Sequence, residues 1–332
     1  MSTAQAPRAA AGPAALAAFL LSPSLAMAQV DGFLVPFGPV AEAQRTELIW
    51  TTAITMIAIL PVLVGTPLIL WWFRRGNTKA TYRPQWHFDT KLEILMWGGP
   101  TLIIIALSIW LTQAVFRLDP YREIDAEMAQ GMNFEITGAP VAIEVVGLDW
   151  KWLFIYPEEG IASVGEMVIP VGRPATMRLT TDTVMQSFMA PGLAGQIYTM
   201  AGMVTRLQMI AERPGTTVGE NTQYNGTGFP AQRAPVRAVP PEDYARWLDN
   251  ARDAPALDAE TYAVLAHSGD VAKAREDLDR PGDGPLVFSL ADPRLFDRIV
   301  ARYRRGEPVE PEAQPGSPLY RPDRAPLPEV SR

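Results

Sequence analysis

The sequence predicts a two-helix transmembrane hairpin followed by an all-β sandwich with a short helical C-terminal extension. Three observations predict it. Two long apolar runs without a single charge occupy residues 48–73 and 94–116. Short β-rich segments separated by Pro and Gly follow from Val141 onward. Helix-start signals return after Ala238.

The 332 residues carry a net charge of -7, with a pI of about 5.1. That acidic balance excludes nucleic acid as a partner, because such binding needs a basic patch. There is no cysteine. Disulfides, thiolate metal sites and iron–sulfur clusters are therefore excluded, and the compartment must be read from topology.

Residues 1–28 read as a signal peptide. Arg8 precedes an apolar stretch, Ala14 to Leu21, and the small-x-small site Ala26-Met27-Ala28. This is the pattern of a cleavable export signal, with Gln29 as the first mature residue; an uncleaved apolar arm is the alternative. Residues 29–47 then form an external N-terminal segment.

Transmembrane helix 1 is expected over 48–73 and helix 2 over 94–116. Each exceeds the ~20 residues that cross ~30 Å of hydrocarbon. Pro61, Pro67 and Pro100 fall inside them, which membrane helices tolerate when neighbours satisfy the freed carbonyls. Trp50, Trp71, Trp72, Trp97 and Trp110 lie mostly near the ends, as interfacial belts require. The connecting loop, 74–93, holds Arg74, Arg75, Lys79, Arg83 and Lys91. By the positive-inside rule it faces the cytoplasm, and both ends of the mature chain face outward.

The external domain, 117–238, shows strand patterns at Val141–Val146, Trp150–Tyr156, Met167–Pro170, Thr176–Thr181 and Val204–Ile210. Such spacing suggests an antiparallel sandwich or barrel. In the helical extension, 239–304, Pro240-Pro241-Glu242-Asp243 opens a helix through Arg252, with Pro first and acids in the first turn. Shorter helices are expected at Asp258–Ala266 and Pro293–Tyr303. The tail, 305–332, is dense in Pro, Glu and Arg and reads as disordered.

Several strings along residues 42–303 carry a resemblance. They are Tyr82-x-Pro84-x-Trp86, Lys91-Leu-Glu93 leading to Trp97-x-x-Pro100, Leu148-Asp-Trp-Lys-Trp-Leu-Phe-Ile-Tyr-Pro157, Gln196-Ile-Tyr-x-Met-Ala-Gly-Met203 and Thr205-Arg-Leu207. In this order, the chain resembles subunit II of the haem-copper respiratory oxidases, in the cytochrome bo-type ubiquinol oxidase branch. The resemblance implies a cupredoxin-like sandwich outside the bacterial plasma (inner) membrane, docked on subunit I. It implies a complex that reduces oxygen to water with proton translocation. Ubiquinol would be its substrate, with haem and copper in the partner subunit I. Several relatives carry an acylated cysteine after the signal peptide. This chain has none, and its two helices would anchor it regardless.

The cytochrome c-oxidising branch holds a binuclear copper centre in this sandwich, on cysteine, histidine and methionine ligands suited to copper. Carried over residue by residue, the ligand positions fall at Gln186, Asn221, Gln223, Asn225, Phe229 and Gln232. None offers a thiolate or imidazole, so no cofactor is expected in this chain. His87 and His267, the two histidines, lie in the cytoplasmic loop and the C-terminal region, and read as surface residues. Met185, Met189, Met200, Met203 and Met209 read as packing. Trp150 stands where the copper-bearing relatives admit electrons, and without copper it reads as a core or interface residue.

Glu93 is the proton-uptake candidate, because the resemblance places a carboxylate here at the mouth of a channel of subunit I. The alternative is a solvated helix-start charge favoured by the dipole. For the whole chain, the expected function is a copper-free structural and docking subunit of a ubiquinol oxidase. A non-catalytic membrane assembly or interaction protein on the same scaffold is the alternative.

Overall fold

The computed structural model describes residues 32–81 and 83–330. The expected signal peptide lies outside the described residues. Among those residues, two helices are long and apolar enough to cross a membrane, α1 (Pro39–Trp72) and α2 (Thr90–Arg117). Both start earlier than the apolar runs. Asp89 caps α2 by accepting hydrogen bonds from the backbone of Lys91 and Leu92. Helix α1 begins with Pro at N1, and its first turn packs on the external domain, where Val40 joins Ile124, Met128 and Ile210. Gly38 permits that approach. A Cβ there would sit 2.2 Å from the Ile210 carbonyl oxygen.

One buried acid ties the hairpin together. Glu47 on α1 accepts from the Trp110 indole at 2.6 Å and from the Arg117 guanidinium, both on α2. At the other end, Glu93 sits in the first turn of α2 and accepts from the indole of Trp97 at 3.1 Å.

After the short helix α3 (Ala126–Met132), the chain folds into the expected sandwich. Its strands are β1 (Val141–Leu148), β2 (Lys151–Tyr156), β3 (Ile161–Val164), β4 (Met167–Pro170), β5 (Ala175–Thr181), β6 (Gln186–Ala190), β7 (Ala194–Thr199), β8 (Thr205–Met209), β9 (Gly215–Asn221) and β10 (Arg233–Val239). The extension contributes helices α4 (Pro241–Arg252), α5 (Ala259–Leu265), α6 (Val271–Asp277) and α7 (Leu295–Arg302), with strands β11 (Ala256–Leu257) and β12 (Leu286–Leu290). One sheet runs β11-β12-β3-β2-β1-β5-β8 and faces a second, β4-β10-β9-β6-β7.

The extension is thus not purely helical, because β12 pairs antiparallel with β3 and extends the first sheet. This explains why the string Trp152-Leu-Phe-Ile-Tyr156 is apolar throughout rather than alternating. Trp152, Phe154 and Tyr156 point into the sandwich core with Ile143 and Phe188. Leu153 and Ile155 point the other way, into a second core with Tyr262, Phe288, Phe296 and Ile299 of the extension. A strand buried on both faces needs no polar side. Lys151, just ahead of that string, is the polar residue of β2. It is buried, and its Nζ donates to the carbonyls of Asp149 (2.9 Å), His267 (2.7 Å) and Gly269 (2.7 Å), tying the extension to the turn before β2.

A second clip is a buried ion pair. Asp182 meets Arg302 at 3.0 Å and also accepts from the Tyr262 hydroxyl. The tail, expected to be disordered, has a described course through residue 330. Ala325 and Leu327 are buried, and Arg298 donates to the carbonyls of Leu327 (3.0 Å) and Pro328 (3.0 Å). Arginine side chains thus supply the donors that a Pro-rich segment cannot find in secondary structure.

Arg178 on β5 bridges Glu144 (2.6 Å) and Asp297 of α7 (2.7 Å). Burial pushes the Glu144 carboxyl up from 4.5 to about 7, although Arg178 pulls the other way. Between those values the folded chain holds a proton that the unfolded chain has released, so stability falls as pH rises through that window. Glu144→Gln removes this slope. Urea denaturation of the variant and parent in detergent should show the variant's relative stability growing from about pH 5 to about pH 7.5. Parallel pH profiles would contradict the assignment.

Candidate functional site

The candidate site lies where β6 starts, β9 ends and the loop 222–232 returns to β10. Gln186 opens β6, Asn221 closes β9, and Gln232 stands just ahead of β10, all three buried. Their amides meet. Gln232 Oε1 accepts from Asn225 Nδ2 at 2.8 Å and from Asn221 Nδ2 at 3.1 Å. Its own Nε2 donates to Gln186 Oε1 at 2.6 Å and to the Leu148 carbonyl at 3.2 Å. Both lone pairs and both hydrogens of one side chain are therefore used.

The pattern continues outward. Gln186 Nε2 donates to the Leu148 carbonyl (3.2 Å) and the Thr183 hydroxyl (3.0 Å). Asn221 Oδ1 accepts from the backbone of Ser187 (3.0 Å) and Gln223 (3.0 Å). Asn225 Oδ1 is left without a partner. Four of the six positions singled out from sequence thus form one neutral hydrogen-bonded group. The other two contribute no side chain to it. Gln223 takes part through its backbone N–H, and the Phe229 ring packs against Tyr224 at 5.8 Å between centroids.

Trp150 covers the same loop. Its indole donates to the Asn225 carbonyl at 3.2 Å. The ring lies directly on Gly228, where a Cβ would come within 2.0 Å of it. Any larger residue at 228 would lift the tryptophan or the loop. Sequence reasoning missed this contact, as well as the links of Lys151 and Glu47. Glycines at 226 and 228 were the available signal.

Among the described residues, no three His, Cys, Asp or Glu side chains converge to hold a metal. His87 Nδ1 lies 2.7 Å from the Gln85 carbonyl, and His267 stacks edge-on to Tyr320. Glu93 stands apart from the amide group, on α2.

No family model matches the chain. Curated relatives do. "Ubiquinol oxidase subunit 2" of Acetobacter aceti is 38% identical over 82% of this chain and 83% of its own length. "Cytochrome bo(3) ubiquinol oxidase subunit 2" of Pseudomonas putida is 37% identical over 89% of this chain and 90% of its own. Among solved structures, the periplasmic domain of subunit II of cytochrome oxidase from Bradyrhizobium japonicum covers 35% of this chain and 95% of that one. The identity there is 22% and the TM-score 0.32.

If Gln232 holds the group together, Gln232→Leu should cost the external domain about 3 kcal/mol, since each orphaned buried partner forfeits roughly 1–3 kcal/mol. Gln223→Leu, outside the side-chain network, should cost well under about 1 kcal/mol. Urea midpoints of the two variants check this, and equal losses would contradict it.

Proposed function

The chain belongs to the family of ubiquinol oxidase subunit 2, and from that premise we propose that it is the copper-free subunit II of a terminal oxidase. The complex would take electrons from ubiquinol, reduce oxygen to water and translocate protons. Haem and copper are expected in subunit I, and the oxygen chemistry belongs to that subunit.

One observation carries the copper-free reading, the amide group at Gln186, Asn221, Asn225 and Gln232. Copper favours thiolate and imidazole, and these amides offer neither. Their lone pairs and hydrogens are moreover largely engaged with one another, so a metal would have to break that network. These residues do not fit the copper centre.

The donor follows from that misfit. A soluble cytochrome delivers single electrons at the outer surface and needs a receiver there. Ubiquinol is lipid-soluble and can reach subunit I from within the bilayer. What remains for this chain is support. The hairpin anchors it in the bacterial inner membrane, and the cluster of Arg and Lys between the helices sets the loop on the cytoplasmic side. The sandwich then stands outside, against subunit I. Glu93, at the cytoplasmic end of α2, collects protons for the oxidase, since an ionisable group at a membrane helix end can serve a water-filled path.

Oxygen uptake by the detergent-solubilised complex, captured through this chain, tests the reading. Cyanide-sensitive uptake with ubiquinol and negligible uptake with reduced cytochrome c is the expected result. Brisk oxidation of cytochrome c with no response to ubiquinol would overturn it, and capture of a haem-free complex would favour an assembly protein.

A further inference from the structure

Glu93 does not stand alone on its helix face. Its Oε2 accepts from the Trp97 indole one turn further on, at 3.1 Å, and residues i and i+4 share a face. A free glutamate has several rotatable bonds, and fixing a long polar side chain costs rotamer freedom. The indole can hold its donor in place because its ring is rigid, with two torsions only. The indole leans back one turn, as aromatic side chains in a helix do, and the carboxylate is thereby held against the face of the helix.

The helix just beyond the indole is also unusual. Pro100 lies within α2 and has no N–H, so the Met96 carbonyl loses the donor that an ordinary helix would supply. Residues 93, 96, 97 and 100 fall on one side of the helix, at spacings of three, four and seven. Gly98 and Gly99 flank them, with open space where their Cβ atoms would be. A carboxylate, held by the indole, and a freed carbonyl acceptor thus line one uncovered stretch at the start of the helix. These are the groups that order water, and in a membrane helix such freed carbonyls are tolerated where water or a neighbouring helix satisfies them.

We propose that Trp97 is a positioning residue for proton uptake, aiming the Glu93 carboxylate along α2 into the path that protons follow towards subunit I. The inference rests on the reading of Glu93 as the proton collector. A tryptophan that only anchors the helix in the interfacial belt would act through its apolar ring. A positioning tryptophan acts through its N–H. Trp97→Phe separates the two, because it keeps a ring of similar character and deletes the donor.

The test is a double-mutant cycle on the captured complex, matched for haem content, with kcat and KM for ubiquinol measured for Glu93→Gln, Trp97→Phe and the double variant. The expected result is an about fivefold fall in kcat for Trp97→Phe, the net scale of one ordinary solvent-exposed hydrogen bond, with KM unchanged. The double variant should be no slower than Glu93→Gln alone, because Trp97 then has nothing left to aim. If Glu93→Gln slows turnover while Trp97→Phe matches the parent, the positioning role is overturned and the uptake reading stands. A double variant slowed by the product of the single effects also overturns it, since the two residues then act independently. Parental turnover in Glu93→Gln would instead overturn the uptake reading and the proposal with it.

Discussion

A buried polar atom must find a partner inside the protein, and the side chain of Gln232 meets that requirement for three separate loops at once. It accepts from Asn221 and Asn225 and donates to Gln186 and to the Leu148 carbonyl. The end of β1, the start of β6 and the return from β9 to β10 therefore converge on one amide. A metal centre can join loops in the same way, through a few strong bonds to one ion. Here the joining is done by several weaker bonds among neutral groups. Trp150 rests on the outer side of that loop, against Gly228, so the surface above the group is shaped by it as well.

The same economy of buried contacts governs the rest of the domain. The first sheet is covered on both faces, by the second sheet and by the extension. Lys151 and the Asp182–Arg302 pair bind that extension to the turns around the amide group. Breaking such a pair on one side leaves a buried charge, which is far costlier than never having had it. The extension and tail are thus part of the domain rather than appendages. On the membrane side, Glu47 performs the corresponding task between the two helices of the hairpin.

Much of this was legible in the sequence. The charge-free runs fixed the hairpin, and the β-rich segments marked β1, β2, β4, β5 and β8. What stayed hidden has physical reasons. Strands such as Gln186–Ala190 and Gly215–Asn221 are short and partly polar, so neither periodicity nor β-propensity announces them. Strand β12 follows a Pro/Gly-rich turn in a region dominated by helix signals, and only its pairing with β3 reveals it. The tail looks disordered by composition, and its contacts with Arg298, on a helix many residues away, leave no trace in that composition. The six site positions came from resemblance. That four of them bond to one another while Gln223 and Phe229 do not is a property of the fold, because Gln186 and Gln232 are 46 residues apart.

With a neutral, hydrogen-bonded amide group at the positions of a metal centre, the function proposed for this chain is that of a support that leaves electron transfer to its partner. The most direct measurement of that claim is the copper content of the purified chain after separation from subunit I, with electron paramagnetic resonance on the intact oxidised complex. Negligible copper on the separated chain and no signal from mixed-valence binuclear copper are the expected results. Stoichiometric copper on this chain, or such a signal, would contradict it.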